Sequence, residues 1–311
     1  MTSFVSERYL NYNTVLKEEF SNRVQKISIN AGFTCPNRDG SKGVGGCTYC
    51  NNQSFSPDYC RPVKTVSQQI LEGIQFFNKA KYEKQYYLAY FQSYTNTYDS
   101  IDKLKKLYEE ALSHPKVIGI VVGTRPDCVN DELLDYFSEL SKRYYVMIEY
   151  GIESTKDETL QFINRGHDYS CAEKAVRDTA KRNIYSGAHL ILGLPLESRE
   201  TILSHAEAVS RLPLTALKLH QLQLIKGTKM AHQYTEHPEY FHLYRAEEYI
   251  DLIVDFLERL NPSIAIERFV SQSPASRLIA PDWGLKNFEF TEKIKKQLEE
   301  RNTWQGKNYH S

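Results

Sequence analysis

Val117-Ile-Gly-Ile-Val-Val122, Asp131-Glu-Leu-Leu-Asp-Tyr-Phe-Ser-Glu-Leu-Ser-Lys142 and Tyr145-Val-Met-Ile-Glu-Tyr-Gly151 follow one another and decide the fold. The outer two are short apolar runs of strand length, and the middle one has helical spacing. The alternation extends both ways. Upstream come a strand at 23–31, a helix at 66–77 with Val66, Ile70, Ile74 and Phe77 in phase, a strand at 86–91, and a helix capped by Asp99 that runs to about 112. Downstream come helices at 156–162 and 172–183, a strand at 188–192, a helix at 199–211 and a strand at 216–224. Six strands, nearly all with a helix between them, imply parallel pairing with right-handed crossovers. The expected class is α/β, a partial (β/α)6 TIM-like barrel of parallel strands with a C-terminal extension.

From about Tyr234 the composition changes. His232, His237, Pro238 and His242 crowd a loop-like stretch. A helix at 244–260, a further strand at 264–269 and a final helix at 290–300 follow. We therefore read 1–229 as the core barrel with an N-terminal extension, and 230–311 as an extension packed on it.

The chain of 311 residues can bury a large core. Lys plus Arg and Asp plus Glu both total 39, so any nucleic-acid site has to be a local patch rather than a global charge. The N-terminus lacks a basic segment followed by an apolar run, and the apolar run at 117–122 is too short to cross a bilayer. A cytoplasmic protein without membrane or DNA partners is expected.

In parallel barrels and sheets, binding residues gather where strands end. The polar clusters of this chain fall there: Gln92 to Thr97 after the second strand, Thr124 to Asp127 after the third, Glu149 to Glu153 at the fourth, Gly193-Leu-Pro195 after the fifth and Lys226-Gly-Thr228 after the sixth. After the first strand comes Cys35-Pro-Asn-Arg-Asp-Gly-Ser-Lys-Gly-Val-Gly-Gly-Cys47-Thr-Tyr-Cys50. Three cysteines without an evident fourth suit a [4Fe–4S] cluster with one open iron. Zinc completed by a histidine, or redox chemistry of the Cys-x-x-Cys pair, stay open on these residues alone. Cys60, Cys128 and Cys171 are scattered and read as idle thiols.

The cysteine loop resembles the radical S-adenosylmethionine (SAM) superfamily. Its longer wording, from Gly32-Phe-Thr-Cys through Gly45-Gly-Cys-Thr-Tyr-Cys-Asn51, is similar to the YtqA/YhcC (MnmL-type) branch, a relative of the elongator catalytic subunit. Phe91 to Tyr98, Arg125-Pro-Asp127, Asn164-Arg-Gly-His167 and Ala280-Pro-Asp-Trp-Gly-Leu-Lys286 carry the resemblance along the chain. The superfamily's common spacing puts three residues between the first two cysteines; here there are eleven, as in this branch.

The resemblance implies that Cys35, Cys47 and Cys50 ligate the cluster and that SAM takes the open iron. It implies a 5′-deoxyadenosyl radical that removes hydrogen from the substrate. Tyr49 is expected against the adenine; Gln92, Ser93, Thr95 and Asn96 near the SAM amino group; Glu149, with Glu153 nearby, at the ribose hydroxyls; Arg165 at the SAM carboxylate; and Gly193, with Pro195, where the backbone approaches the adenine. Each also has a plainer role, such as loop packing, a capped turn or a surface ion pair. Arg125, Asp127, Lys218 and His220 are expected on the substrate side, with Arg125 or Lys218 holding a carboxylate. The implied substrate is the anticodon region of tRNA, where 5-carboxymethylaminomethyluridine at the wobble position would become 5-aminomethyluridine. A flipped base would need a basic, aromatic rim, with Arg268, Lys286, Lys293, Lys295, Lys296, Arg301 and Trp304 as candidates; the alternative is an ordinary charged helix, since Glu292, Glu299 and Glu300 are interleaved. An electron donor such as flavodoxin or ferredoxin is implied. The rival readings are a radical SAM enzyme for a small carboxylate metabolite such as a porphyrin, and a metal-binding regulatory module without catalysis. Within the cysteine loop, Asn37, Arg38, Asp39 and Lys42 either contact substrate or fold the loop.

Overall fold

The structure, a computed structural model, describes residues 7–51, 57–77 and 85–310. The first six residues of the N-terminal extension lie outside the described residues. Helix α1 (Tyr12–Phe20) leads into strand β1 (Arg23–Ile29). Then come α2 (Val66–Phe77), β2 (Gln85–Phe91), α3 (Ile101–Leu112), β3 (Val117–Thr124), α4 (Asp131–Ser141) and β4 (Tyr145–Glu153). Helices α5 (Asp157–Phe162) and α6 (Tyr169–Ala180) precede β5 (Tyr185–Leu192), α7 (Arg199–Ser210) and β6 (Ala216–Gln221). The order closes with β7 (Leu224–Ile225), α8 (Lys229–Glu236), α9 (Ala246–Arg259), β8 (Ala265–Arg268), β9 (Leu278–Ala280) and α10 (Asn287–Glu300).

One sheet runs β1-β2-β3-β4-β5-β6-β8 with every pair parallel. It curls into the expected α/β partial TIM-like barrel. The further strand expected at 264–269 pairs with β6, Ala265 beside Ala216, and becomes the seventh strand. Residues 216–224 split instead of forming one strand: β7 leaves the sheet and pairs antiparallel with β9. Side-chain caps set the starts of α6 and α8, while that of α3 has none. Ser100, not Asp99, is the N-cap of α3, and Asp99 instead pairs with Lys103 at 2.6 Å. Helix α6 starts at Tyr169 because the Asp168 side chain accepts from Cys171 N. Thr228 likewise caps α8, inside the stretch that reads as a loop.

Alternation along each strand sorts side chains onto two faces. On the outer face Ile120, Val122, Ile148, Leu190, Leu217 and Leu219 are fully buried. They join one core with Phe137, Val176, Val209 and Ile253 of the covering helices. Each such side chain contributes about 1.5–3 kcal/mol by leaving water. The inner face is layered. Its floor is apolar, built from Leu88, Val121, Tyr145, Met147, Ala216 and Ala265 with Tyr12 and Leu16 of α1 packed beneath. Above it lies a charged layer, Lys26 of β1, Glu149 of β4, Lys218 of β6 and Glu267 of β8. The Lys26–Glu267 pair, at 2.5 Å, joins the two edge strands of the open sheet. Among the described residues no helix is long and apolar enough to cross a membrane.

Candidate active site

The cysteine loop is folded by its own polar atoms. Arg38 N and Asp39 N donate to Cys35 O at 2.8 and 3.2 Å, and Gly46 N donates to Asn37 O at 2.8 Å. Gly46 has φ +76, and a Cβ there would meet the Arg38 side chain at 2.8 Å, so only glycine fits. Asn37 is almost fully buried; its Nδ2 donates to Asn164 O at 2.7 Å and lies 3.7 Å from Cys47 Sγ. Asn164 Nδ2 returns a bond to Gly46 O at 2.8 Å, and Thr48 N donates to Ile163 O at 2.9 Å. Asp39 accepts from Ser41, and Lys42 Nζ reaches Asp127 O at 2.6 Å and Oδ2 at 3.0 Å. Asn37, Asp39 and Lys42 therefore fold and dock the loop. Arg38 is the one of the four that lines the cavity.

That cavity opens at the C-terminal ends of the strands and spans about 1320 Å³ including its mouth. Cys35, Cys47 and Cys50 all line it, as free thiols. Among the described residues no three His, Cys, Asp or Glu side chains converge on a point as one metal ion would require. Arg165 Nη1 sits 3.5 Å from Cys47 Sγ, and Arg38 Nη2 donates to Cys50 O at 3.0 Å. Burial and then the neighbouring Cys47 raise the Cys50 thiol pKa, against the pull of Arg38. A bound metal would reverse that balance, since coordination deprotonates a thiol. Soft sulfur donors flanked by guanidinium groups fit an anionic iron–sulfur cluster.

The strand ends supply the other walls. Tyr49, Gln92, Ser93, Arg125, Glu149, Arg165 and His220 all line the cavity, as the sequence suggests. Gln92 Oε1 accepts from Ser28 Oγ at 3.2 Å. Arg165 is anchored by Gly151 O at 2.5 Å, with Glu153 at 3.8 Å and its Nε buried without a partner. Five expected residues stand behind the wall rather than on it: Thr95, Asn96, Asp127, Lys218 and Gly193. Asn96 Nδ2 donates to Gly123 O at 2.8 Å, while Asn96 Oδ1 and Thr95 Oγ1 are buried and unpartnered. Gly193, at φ +87, packs beneath Tyr244.

Arg125 is committed to Asp127 by a fork, Nε to Oδ1 at 2.8 Å and Nη2 to Oδ2 at 3.1 Å. Burial alone would raise the Asp127 pKa, but the bonds and charge of Arg125, helped by Lys42, hold it at about 2. Its stabilising contribution is thus complete above the ordinary value of 3.8 and is lost as pH falls toward about 2. Asp127→Asn is expected to destabilise the fold by about 2 kcal/mol at neutral pH. The gap between variant and wild type should close in acid, as urea titrations at several pH values would show.

Glu149, only 2% exposed, meets Lys26 at 2.6 Å, Lys218 at 2.7 Å and His189 at 3.2 Å. Glu267 completes the group, with Lys26 at 2.5 Å and Lys218 at 3.0 Å. Burial opposes the Glu149 charge, yet Lys218 and Lys26 outweigh it and hold the pKa well below the usual range. The sequence reading missed Lys26, Glu267 and His189. Only His189 carried a local signal, a polar residue inside the apolar stretch of β5; Lys26 and Glu267 stand in strands with other polar residues and had none. Of the expected basic rim, Arg268 alone lines the cavity. On α10, Lys295 pairs with Glu7 and Glu292, and Lys296 with Glu300. Just beyond it, Arg301 pairs with Asp255 and Glu258.

Residues 31–209 match the Radical SAM superfamily, and residues 214–300 match the Radical_SAM C-terminal domain. The chain belongs to the radical SAM superfamily, and so is an enzyme that cleaves SAM reductively, with SAM and a [4Fe–4S] cluster as its cofactors. Within it, the chain is 36% identical over 307 residues to the uncharacterized protein YtqA of Bacillus subtilis, covering 98% of this chain and 94% of that one. It is 34% identical over 269 residues to protein YhcC of Escherichia coli K12, covering 86% and 85%. These likenesses place it in the YtqA/YhcC branch. It is also 22% identical over 206 residues, 65% of this chain, to the tRNA uridine(34) acetyltransferase of Methanocaldococcus infernus, spanning 36% of that protein. The fold matches the solved structure of the archaeal Methanocaldococcus infernus Elp3 with an N-terminal deletion, at TM-score 0.68 and 15% identity. That match covers 91% of this chain and 64% of the other. Catalysis by SAM cleavage sets aside the reading as a regulatory metal module.

Proposed function

We propose that this radical SAM enzyme acts on the wobble uridine of tRNA, converting its 5-carboxymethylaminomethyl side chain to 5-aminomethyl. The observation that carries the substrate is the likeness of 65% of the chain to a protein named for uridine 34 of tRNA. A cavity open to solvent at the strand ends supports it, because it gives a flipped nucleoside access to the same space that the three cysteines line.

When bound, the cluster and SAM supply a 5′-deoxyadenosyl radical. The chain's residues bind and orient. Cys35, Cys47 and Cys50 would hold three of the cluster's four irons. Arg165 carries a guanidinium beside Cys47 and suits the SAM carboxylate. Tyr49 offers a ring for the adenine, and Gln92 and Ser93 offer polar atoms for the amino acid end. Glu149 offers acceptors for the ribose, while its ion pairs fix where they point. Thr95, Asn96 and Gly193 set the backbone behind these groups. On the substrate, the carbon between amine and carboxylate gives up a hydrogen atom to the 5′-deoxyadenosyl radical and then one electron to an external acceptor of the flavodoxin or ferredoxin class; the imine so formed adds water and breaks into the amine and glyoxylate.

Mass spectrometry of tRNA nucleosides from cells lacking the protein tests the reading. The carboxymethylaminomethyl nucleoside should accumulate and the aminomethyl nucleoside and its derivatives should vanish. Unchanged wobble uridines would reject the tRNA substrate.

A further inference from the structure

Most cations around the cavity already have an ion-pair partner. Lys26 and Lys218 share Glu149 and Glu267, so two positive charges meet two negative ones. Arg125 and Lys42 share Asp127. Arg165 faces Glu153 and Cys47. Arg38, without an ion pair among the described residues, is bound to Cys50 O in the cysteine loop. Arg268, the last residue of β8, is the other such cation. It lines the cavity, and among the described residues it makes no ion pair. Its Nε is buried and unpartnered. Its Nη2 donates to His220 Nε2 at 2.5 Å.

That contact fixes the state of His220. Nε2 can accept from a guanidinium only if it carries a lone pair, so the ring is neutral with its proton on Nδ1. Burial and then the Arg268 charge push its pKa well below the ordinary value, in agreement. His220 therefore orients Arg268 without cancelling its charge. The His189 ring lies 5.2 Å from the His220 ring and braces it. A half-buried guanidinium with a free edge and no counter-ion is costly, and a carboxylate completing its fork recovers that cost.

We propose that Arg268, oriented by His220, recognises the carboxylate of the substrate side chain. This assignment rests on the tRNA reading above, and it moves the carboxylate-binding role away from Arg125 and Lys218, which already pair with Asp127 and with Glu149 and Glu267. It makes the enzyme selective for an acidic side chain over its neutral counterpart, since a buried cation left unpaired penalises the neutral form.

The test uses reconstituted holoenzyme and two anticodon stem-loops, one with 5-carboxymethylaminomethyluridine and one with the corresponding carboxamide. Wild type should bind the acid roughly 10–100-fold more tightly than the amide, the range for one charged hydrogen-bonded contact. Arg268→Gln should bind both equally. Arg268→Lys, which keeps the charge but not the planar fork, should fall between. Iron content and melting temperature of each variant report whether it folds and loads its cluster. Preference for the acid in wild type that persists in Arg268→Gln would overturn the role of Arg268 and leave the tRNA reading intact. Failure of wild type to bind either stem-loop would overturn both.

Discussion

Cys47→Ala is expected to leave the protein almost without iron after anaerobic reconstitution, where wild type should take up about four irons per chain. It should also abolish 5′-deoxyadenosine release, by at least ~10³-fold. Cys47 is only 7% exposed and is held on both sides, by Asn37 at 3.7 Å and Arg165 at 3.5 Å. No other cysteine replaces it. Cys60 and Cys171 do not line the cavity, and Cys128 is turned toward Asp127, its pKa pushed to about 12 chiefly by burial. Cys47→Ser keeps the size and should fail equally, because a hydroxyl is a poor ligand for iron in a sulfide cluster. Iron and sulfide assays with chromatography of the nucleoside products read both effects. Full iron loading in either variant would remove Cys47 from the ligand set.

Glu149→Gln is expected to cost about 3–5 kcal/mol, the usual range for removing one partner of a buried charge group. In a chain of this size that is a fall of roughly 5–8 °C in melting temperature. Lys26 and Lys218 would be left to share Glu267, with Lys218 3% exposed and 4.3 Å above the Tyr90 ring. Adding Lys218→Met should recover part of the loss, because the second change removes the stranded charge. The sign with pH follows from the lowered Glu149 pKa. Its contribution is present above the ordinary value of 4.5 and is lost as pH falls below it, so the two proteins should converge in acid. Melting curves from neutral to acidic buffer check this. A fall in melting temperature that is the same at every pH would point to packing rather than charge.

The parts of the fold legible in the sequence were those whose signal is local. Strands β2, β3 and β4 are short apolar runs separated by helices of regular spacing, so their existence and parallel pairing followed directly. The cysteine loop carried its own spacing, and polar residues at strand ends announced one shared face. Gln92, Arg125, Glu149 and Arg165 did come together on the cavity wall. What stayed hidden depends on distant pairing. Lys26 and Glu267 are 241 residues apart, and nothing near either one says that the sheet curls far enough to bring them into contact. Arg268 looked like one more basic residue of the C-terminal region until β8 took its place beside β6. The lysines of α10 showed the opposite error: read singly they suggest a basic rim, whereas at helical spacing Lys295 and Lys296 meet Glu292 and Glu300. Asp99 and Ser100 are both cap-type residues, and Ser100 takes the position without a side-chain cap bond.

The central claim is that radical chemistry in this cavity is directed at a tRNA wobble uridine. It is tested most directly by incubating the reconstituted protein with SAM, a low-potential reductant and tRNA carrying 5-carboxymethylaminomethyluridine, then quantifying both nucleoside products in one digest. The expected result is 5′-deoxyadenosine and 5-aminomethyluridine rising together in about equal amounts. Release of 5′-deoxyadenosine with the wobble nucleoside unchanged would contradict it.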